Sequence, residues 1–561
     1  MAASTTLTRV APILDWLPRY PRDDLSHDLR AGLTVAILVI PQAMAYAALA
    51  GVPAITGLYS AMVAMTVYAV LGTSRFISVG PVAIDSLLTA ATVGPLASGD
   101  ATRYLALASG LAVLIGLIQI AAGLARLGQL VSLLSVPVIS GFTSAAALTI
   151  AVTQIGPLLG LRGSGSSSTL VEAMRALWPT LGTIDAATTV VGCVSLLALW
   201  SLKRFAPRLP GPLVVIALAS VLVVLAPWLS SVRTLGAVPS GIPSPGLPAL
   251  AWSDLLTLSG SAAAIALVSF MESISTGTAF ARRSRTTVDP DQELIGVGAA
   301  NAASGLFQGF CVAGGLSRGA VNVAAGARSQ VSGLFAAVLI AISLFTLTGV
   351  LAHLPKTVLA AIILVAVSSL VDIKGAREIA AVRRSDVVAL LATAVATLTL
   401  GPVPGLGVGV AVSLALFLRP AVQPHLPELG QLPGQDVYRN VIRYDTVQRP
   451  DTLILRVDAP LSFVSARAVN DRISHLVRER AGVRYVIVDG SAMISADYTG
   501  IDSLLRLAAD LDAAAVQLHL AALRGPVRDI LDRHEGYRLL AEQGRVHSTV
   551  PLAVSALPSA S

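Results

Sequence analysis

The stretch FQGFCVAGGLSRGAVNVAAG (307–326) places a serine and an arginine beside a glycine pair inside an apolar sequence. About ten helical residues after that pair would span only about 15 Å, half of the hydrocarbon core of a bilayer. We therefore predict a turn at Gly314 and Gly315, followed by a helix that begins near the membrane midplane. Its free N–H groups, the positive end of its dipole, the Ser317 hydroxyl and the Arg318 guanidinium would face one point. Such a point suits an anion.

A second stretch, SVGPVAIDSLLTA (78–90), has a similar design. A glycine and a proline that can start a helix open a short apolar segment after the extended run SRFIS. Counted along the chain, the two stretches are the third and tenth apolar segments, and a separation of seven inverts the topology. We predict half-helices that run in opposite directions with facing N-termini, as in inverted-repeat transporters. The candidate backbone ligands for the anion are the N–H groups near Val82, Ala83, Leu316 and Ser317.

Two carboxylates lie in apolar segments, where an ionised acid is costly. Glu272, in ALVSFMESISTGTAF, has Thr276 one helical turn further along the same face. Asp85 lies about one turn into the third segment, where the helix dipole tolerates an acid. An acid near an anion site weakens anion binding unless it is protonated, so Asp85 is a candidate for coupling transport to protons. The alternatives are a static structural pair for Glu272 and a merely polar position for Asp85.

The composition places these residues in a membrane. Of 561 residues, 54% are hydrophobic and 13% charged, and the 47 glycines suit helices that pack closely through small residues. The net charge of +7 is spread between apolar segments without an aromatic-studded basic stripe, so no nucleic-acid partner is predicted. Cys193 and Cys311 both lie in apolar segments and suggest neither a disulfide nor a metal site. The seven histidines show no metal-ligand spacing, no phosphate loop follows the glycine pair, and the residues before 31 do not resemble a cleaved signal peptide.

About fourteen apolar segments cross or half-cross the bilayer between residues 31 and 419. They fall at 31–50, 57–72, 81–94, 103–125, 130–159, 186–202, 211–229, 257–280, 293–311, 316–326, 330–352, 355–372, 386–400 and 401–419. With a cytoplasmic N-terminus, the inner connections receive most of the Lys and Arg residues. The outer connections receive only Arg103, Arg162, Arg175, Arg233 and Lys356. The positive-inside rule then places both termini in the cytoplasm.

The pattern changes after residue 419. Prolines at 420, 424, 427 and 433 indicate a linker over 420–436, and the remainder, 437–556, alternates strands with helices. Strands are predicted at 452–458, 484–489 and 516–523, and helices at 465–481, at 500–514 and from Pro526. This pattern is typical of a small cytoplasmic α/β domain. Thr499 precedes a glycine at a strand-to-helix turn, where a phosphate would meet a helix N-terminus, although a capping role is the alternative.

Several of these motifs resemble the SulP family of sulfate permeases and related anion transporters. They are DLRAGLTVAILVIPQAMAYAALAGVPAITGLYS (28–60), GTSRFISVGP (72–81), SVPVISGFTSAAALTIAVTQIGPLLG (135–160), DPDQELIGVGAANAASGLFQGF (289–310) and GGLSRGAVN (314–322). The tail resembles the STAS domain that usually closes this family, with SADYTG (495–500) at its phosphorylatable loop. The resemblance implies fourteen segments in two inverted halves, a core domain against a gate domain, elevator-like movement and dimers.

The resemblance also suggests roles for individual residues. It places Gln42 and Tyr46 in the lining of the anion pocket, and Pro41 between apolar residues would kink that helix. It puts the segment of Glu272 beside the tenth, so that Glu272 faces Arg318. Protonation of the carboxyl would then free the guanidinium for an anion, which amounts to proton–anion symport. Glu272 and Thr276 could instead hold Na⁺, but the permanent charge of Arg318 opposes a sodium ion.

We therefore predict a polytopic α-helical membrane protein with a 7+7 inverted repeat and a C-terminal α/β STAS domain. The expected domains are 1–30, 31–419, 420–436 and 437–556. The expected function is the import of a small inorganic anion, sulfate, with protons, at the plasma membrane. Bicarbonate or dicarboxylate transport with Na⁺ or H⁺, anion exchange, and a membrane anion sensor that signals through the STAS domain are the alternatives. No cofactor and no enzymatic activity are expected. A homodimer and a cytoplasmic partner at the STAS domain are the expected assemblies.

Overall fold

A computed structural model describes residues 11–129, 135–161, 167, 169–206, 209–236, 238–284 and 286–558. The chain divides into two compact units, Met1–Ser413 and Leu414–Ser561. The outer charge Arg162 and the inner charges Arg9, Arg208 and Arg285, which support the predicted orientation, lie outside the described residues.

The predicted segment 330–352 contains a short helix, Thr348–Leu351, besides a longer one, and each of the fourteen predicted apolar segments contains one main helix. These are α1 (Leu25–Leu49), α2 (Ala54–Leu71), α3 (Ala83–Ala97), α4 (Ala101–Leu124), α5 (Val136–Leu159), α6 (Ala186–Phe205), α7 (Gly211–Leu225), α8 (Trp252–Ser284), α9 (Pro290–Leu306), α10 (Leu316–Ala324), α11 (Val331–Thr346), α12 (Lys356–Val367), α13 (Arg384–Leu400) and α14 (Pro402–Val422). Shorter helices at Leu170–Leu177 and Ile373–Val382 lie in connections where the sequence predicts none. They begin at the capping side chains of Thr169 and Asp372, whose oxygens accept backbone N–H groups.

Seven of the described helices are long and apolar enough, by length and composition, to cross a membrane: α1, α2, α4, α5, α6, α8 and α14. Four shorter helices, α3, α7, α11 and α12, are also apolar. Short helices suit a membrane protein only where neighbouring protein or a water-filled cavity satisfies the backbone beyond their ends. The region around α3 and α10 provides such surroundings, as described below.

The helices pack as two bundles. Helix α9 packs against α4 and α2, helix α11 against α1 and α2, and helix α8 against α4. The second bundle is formed by α5, α6, α7, α12 and α13, with α12 packed on α5 and α6. Helix α1 also contacts α7, α10 and α12, so it lies where the two bundles meet. This division matches the core and gate domains that the family resemblance implies.

Small residues permit the closest helix contact in the first bundle. A Cβ atom added to Gly116 of α4 would lie 2.4 Å from the backbone N of Ala302 and 2.4 Å from the carbonyl O of Gly298, both in α9. Neither helix could remain at this distance with a larger residue, because real Cβ contacts do not approach so closely. The abundant glycines therefore serve close helix packing, as the composition predicts.

The second unit holds a four-stranded parallel sheet in the order β5 (Thr452–Arg456), β6 (Tyr485–Asp489), β7 (Gln517–Ala521) and β8 (Val546–His547). Before it, β3 (Leu429–Gln431) and β4 (Tyr438–Asn440) form an antiparallel hairpin, so part of the predicted linker is a strand. The helices are α15 (Ala466–Glu479), α16 (Tyr498–Ala513), α17 (Gly525–Leu531), α18 (Glu535–Glu542) and α19 (Val550–Ser555). The predicted strands and helices are all present, whereas β8, α18 and α19 were not predicted because their apolar runs are short.

Candidate anion-binding site

Two short strands, β1 (Val79–Gly80) and β2 (Ala313–Gly314), pair antiparallel and hold the starts of two helices together. Helix α3 begins three residues after β1, at Ala83, and helix α10 begins two residues after β2, at Leu316. The paired strands run in opposite directions, so the two helices leave the ribbon in opposite directions. The N–H groups of each first helical turn have no partner within their own helix. The predicted pair of half-helices is therefore present, and their N-termini adjoin one ribbon.

The glycine pair before α10 provides space rather than an unusual turn. Gly315 has φ −80°, a value open to any residue. A Cβ on Gly314 would lie 2.9 Å from Ile77 and 3.0 Å from the Cα of Ser273, and one on Gly315 would lie 2.9 Å from the Arg318 guanidinium. In place of the predicted turn, strand β2 ends at Gly314 and the helix begins at Leu316, so the two glycines are needed for the close contacts and not for a special backbone conformation.

Buried polar side chains support the extended segment that leads into α3. Gln330 donates to the carbonyl oxygens of Ser74 at 2.7 Å and Ile77 at 2.9 Å. Asn322 of α10 donates to the carbonyl of Phe76 at 3.2 Å. Because this backbone forms no helix, its carbonyls would otherwise be unsatisfied in an apolar region.

The segment leading into α10 is supported in the same way. Asn301 of α9 accepts the Val312 N–H at 2.9 Å and donates to the Val312 carbonyl at 2.9 Å, as a strand partner would. Ser273 accepts the Gly314 N–H at 2.8 Å. Sequence reasoning missed Asn301, Gln330 and Ser273. The available signal was the presence of polar residues inside apolar segments.

Arg318 lies in the first turn of α10 and is only 1% exposed. Its guanidinium donates to the carbonyl oxygens of Pro81, of Gly80 at 2.9 Å and of Ala313 at 3.2 Å, and its Nε has no partner among the described residues. No carboxylate of the described residues lies within ion-pair distance of it. The carbonyls at the ends of both strands therefore satisfy much of the guanidinium.

A cavity of about 610 Å³ opens beside this ribbon. Glu272 lines this cavity, and so does every residue predicted to bind the anion. Those residues are Gln42, Tyr46, Val82, Ala83, Leu316, Ser317 and Arg318. Leu316 and Ser317 are exposed although they lie among apolar helices, because they face this space. The cavity thus combines two helix N-termini, a guanidinium and a hydroxyl, all of which favour negative charge.

A larger cavity, of about 930 Å³, lies elsewhere in the first unit. Its charged lining residues mix both signs, and Arg19 pairs with Asp15 at 3.0 Å and Arg328 with Asp24 at 2.6 Å. Neither half-helix begins there. The smaller cavity is therefore the better candidate for an anion site.

Glu272 is half-buried in α8 and lines the smaller cavity. Its Oε2 atom is buried without a hydrogen-bond partner among the described residues. It lies within electrostatic range of Arg318 and of a second acid, Asp85, but forms no ion pair with Arg318. A buried oxygen without a donor is expensive for an ionised carboxylate. The geometry therefore gives Glu272 access to the cavity, and it opposes the alternative of a static pair with Arg318.

Asp85 and Thr276 do not line the cavity. Asp85, the third residue of α3, is fully buried; the Cys311 Sγ donates to its Oδ2 at 3.6 Å, and its Oδ1 has no partner among the described residues. The Thr276 hydroxyl donates to the carbonyl of Gly314 at 3.3 Å. Thr276 thus supports the ribbon.

Gln42 and Tyr46 lie one turn apart in α1, next to Pro41, which lies inside the helix. The Gln42 side-chain amide donates to the Tyr46 hydroxyl at 3.0 Å, and the Gln42 Oε1 has no partner among the described residues. Both side chains are almost fully buried against the cavity. They can offer polar atoms to a solute without breaking any bond to the helix backbone.

Thr499 belongs to the second unit and is the second residue of α16. It is exposed, and the neighbouring Asp497 caps the helix by accepting the Gly500 N–H at 2.7 Å. A phosphate on Thr499 would therefore meet a helix N-terminus that already carries a carboxylate. Its regulatory role remains a prediction.

A cavity at the N-termini of two half-helices, within a bundle of apolar helices, is typical of membrane transporters of anions. Comparison with known proteins agrees. Residues 25–393 match the sulfate permease family and residues 443–553 match the STAS domain. The chain therefore belongs to the sulfate permease family, a family of membrane anion transporters rather than enzymes.

Individual relatives cover nearly the whole chain. A probable sulfate transporter of Mycobacterium tuberculosis, MT1781, is 36% identical over 568 residues, 99% of each chain. The murine Slc26a9 anion transporter in an inward-facing state matches with a TM-score of 0.91 at 24% identity, over 98% of this chain and 94% of that one. The transmembrane domain of a cyanobacterial bicarbonate transporter, BicA, matches with a TM-score of 0.62 at 25% identity, over 70% of this chain and 98% of that one. The predicted fold, a helical membrane domain followed by a STAS domain, is confirmed.

Proposed function

We propose that this chain imports sulfate with protons by elevator-type alternating access. The observation that carries the proposal is the cavity where two half-helix N-termini and Arg318 adjoin a carboxylate, Glu272, that has no ion-pair partner among the described residues. Two helix N-termini and a guanidinium favour an oxyanion with more than one charge. The name of the mycobacterial relative supports sulfate as the substrate.

Proton coupling follows from the charges that face the cavity. With Glu272 ionised, its negative charge offsets Arg318 and repels an entering anion. With Glu272 protonated, the positive field of Arg318 and the helix N-termini is free to act on the anion. The proton on Glu272 and the anion in the cavity then each favour the binding of the other, and this reciprocity is thermodynamic coupling. Asp85, within electrostatic range of Glu272, is a second candidate carboxylate behind the cavity wall.

Sodium-coupled bicarbonate transport is the second candidate, and the similarity to the BicA membrane domain favours it. One feature of this chain opposes a sodium ion beside Glu272, namely the positive charge of Arg318, which acts on Glu272 itself. This charge makes proton coupling the simpler arrangement.

We place the carrier in the plasma membrane as a homodimer with both termini in the cytoplasm. The charge distribution of the connections supports this orientation. In this arrangement the STAS domain is cytoplasmic and offers Thr499 to a regulatory partner. An anion sensor without net transport is the alternative from a different class, and it would bind sulfate without accumulating it.

The experiment is uptake of labelled sulfate into proteoliposomes with and without an inward proton gradient, in competition with bicarbonate, chloride, fumarate and molybdate. We expect gradient-driven accumulation that only other divalent oxyanions inhibit. Accumulation driven by sodium, or competition by bicarbonate alone, would support the second candidate. Binding without accumulation would support the sensor.

A Glu272→Gln variant tests the coupling directly. It should retain sulfate exchange and lose proton-driven accumulation, because glutamine cannot release a proton. The matched control is Asp254→Asn, which removes a carboxylate from the first turn of the same helix, outside the cavity. If the Glu272 variant accumulates sulfate as the wild type does, Glu272 has no part in coupling.

A further inference from the structure

Besides the cavities of about 610 and 930 Å³, a cavity of about 400 Å³ lies end to end with the anion cavity along two helices, and it is termed the second cavity. On α1, Tyr46 lines the anion cavity and Ala48 lines the second one. On α12, Ile362 lines the anion cavity and Ile363 the second one. The linings of the two cavities are therefore only one or two residues apart on each helix. Tyr46, Ile362 and Ile363 belong to one apolar cluster.

The two cavities lie toward opposite ends of α12. The anion cavity is also lined by Ser369 and Leu370, just beyond its C-terminal end, whereas the second cavity is lined by Lys356, its first residue. Under the proposed orientation the anion cavity opens toward the cytoplasm and the second cavity toward the outside. The second cavity thus occupies the position of the external approach to the same site.

Each cavity contains one lysine. Lys203, at the last turn of α6, lines the anion cavity, and Lys356 is the only charged residue among the described residues that line the second cavity. Both side chains are exposed, and neither forms an ion pair with a described residue. Lysine is unfavourable at a helix N-terminus because the dipole is positive there, so Lys356 is not placed to stabilise α12. Its ammonium and the free N–H groups of α12 together attract anions.

We propose that Lys203 and Lys356 are side-specific docking residues for the transported divalent anion. Lys203 receives the anion from the cytoplasmic cavity, and Lys356 receives it from the external cavity. Each lysine raises the local concentration of anion at one entrance, and neither touches the anion once it is bound at the half-helices. This inference rests on the proposed function, because it assumes that both cavities belong to one path.

The first test measures half-saturation by sulfate on each membrane face, in right-side-out and inside-out vesicles. Lys203→Gln should raise the half-saturation concentration about three- to tenfold at low salt on the cytoplasmic face only. Lys356→Gln should do the same on the external face only. Both effects should shrink at high ionic strength, because screening weakens attraction at an exposed charge. Equal effects on both faces, or none, would overturn the proposal.

Matched controls separate docking from loss of net charge. Arg204→Gln removes a neighbouring exposed charge that does not line the cavity, and Arg233→Gln does so near Lys356. Neither control should change half-saturation. Lys203→Arg and Lys356→Arg keep the charge and should behave as wild type. If the wild-type protein transports no anion, the proposed function is refuted. The access of each cavity to one membrane face would then be decided by cysteine labelling, which does not depend on transport.

The second test needs no transport. In a Cys193→Ser background, Lys203→Cys and Lys356→Cys would be labelled with a membrane-impermeant maleimide applied to one face at a time. We expect Lys203→Cys to react only from the cytoplasmic face and Lys356→Cys only from the external face. Sulfate should slow both reactions. Labelling of Lys356→Cys from the cytoplasmic face, or no protection at either site, would contradict the proposal.

Discussion

Replacement of Arg318 by alanine should damage the fold of the site as well as its affinity for anions. The guanidinium satisfies three carbonyl oxygens, those of Gly80, Pro81 and Ala313, at the ends of the two strands. An unsatisfied buried acceptor costs about 1–3 kcal/mol, so three of them amount to about 3–9 kcal/mol. Water in the adjoining cavity can replace part of this, so we expect a loss near the lower bound, about 3 kcal/mol.

The loss would be measured as a lower unfolding temperature of the purified protein in detergent. Sulfate should raise this temperature in the wild type, because a ligand that binds only the folded state stabilises it by mass action. For Arg318→Ala we expect a lower starting temperature and a much weaker response to sulfate. Arg318→Lys keeps the charge but not the planar fork that reaches several carbonyls, so it should lower stability while retaining a response.

Arg204→Ala is the matched control, since it removes an exposed arginine from the end of α6. It should leave both measurements unchanged. Unfolding of Arg318→Ala at the wild-type temperature would refute the reasoning, because the carbonyls would then be shown not to depend on the guanidinium. Arg318 would in that case serve the anion alone.

Three further predictions concern other parts of the chain. Asn301→Ala should lower the maximal sulfate uptake rate and the stability, since the Val312 N–H loses its acceptor and the Val312 carbonyl keeps only the Ser269 hydroxyl. Asn322→Ala, which frees one carbonyl, should have a smaller effect. Burial lowers the pKa of His519, which is 6% exposed and adjoins His547, to about 4. The unfolded chain therefore binds a proton first, and stability of the second unit should fall by about 2 kcal/mol as pH decreases from about 6.5 to about 4. Hydrogen exchange in β7 and β8 of the full-length protein would report this fall. His519→Leu should weaken the pH dependence, because only His547, whose pKa burial also lowers, would remain, and the exposed His475→Gln should leave it unchanged. Thr499→Glu should change the sulfate transport rate in cells without altering the half-saturation concentration, and an unchanged rate would leave Thr499 as a helix-start residue only.

The sequence was sufficient to predict the helices because their apolar segments are long and bounded by charges or prolines. Even α3 and α10 were predictable, since a glycine or proline precedes each short segment and the two are seven segments apart. The helices at Leu170–Leu177 and Ile373–Val382 were not, because amphipathic helices of eight and ten residues give too few apolar positions to establish a period.

Most residues that line the cavity could be named from the sequence, although Asp85 and Thr276 do not line it, whereas the hydrogen bonds around the cavity could not be predicted. Arg318, Ser317 and Glu272 could be named because charge and hydroxyl groups are rare in apolar segments. The acceptors of the Arg318 guanidinium are backbone carbonyls, which every residue carries, so the sequence gives no sign of them. The hydrogen bond from the Thr276 hydroxyl to the Gly314 carbonyl depends on how α8 packs against β2, and helical periodicity alone does not determine that contact.

The anchoring of Arg318 on backbone carbonyls also limits how the specificity of such a carrier can be altered. A mutation that neutralises this charge to admit a monovalent or uncharged solute would at the same time loosen both ribbon strands. Changes of substrate preference are better sought at Leu316, Ser317 and Gln42, which line the cavity without supporting the strands. In directed evolution toward a new solute, we would therefore randomise these three positions and keep the arginine fixed.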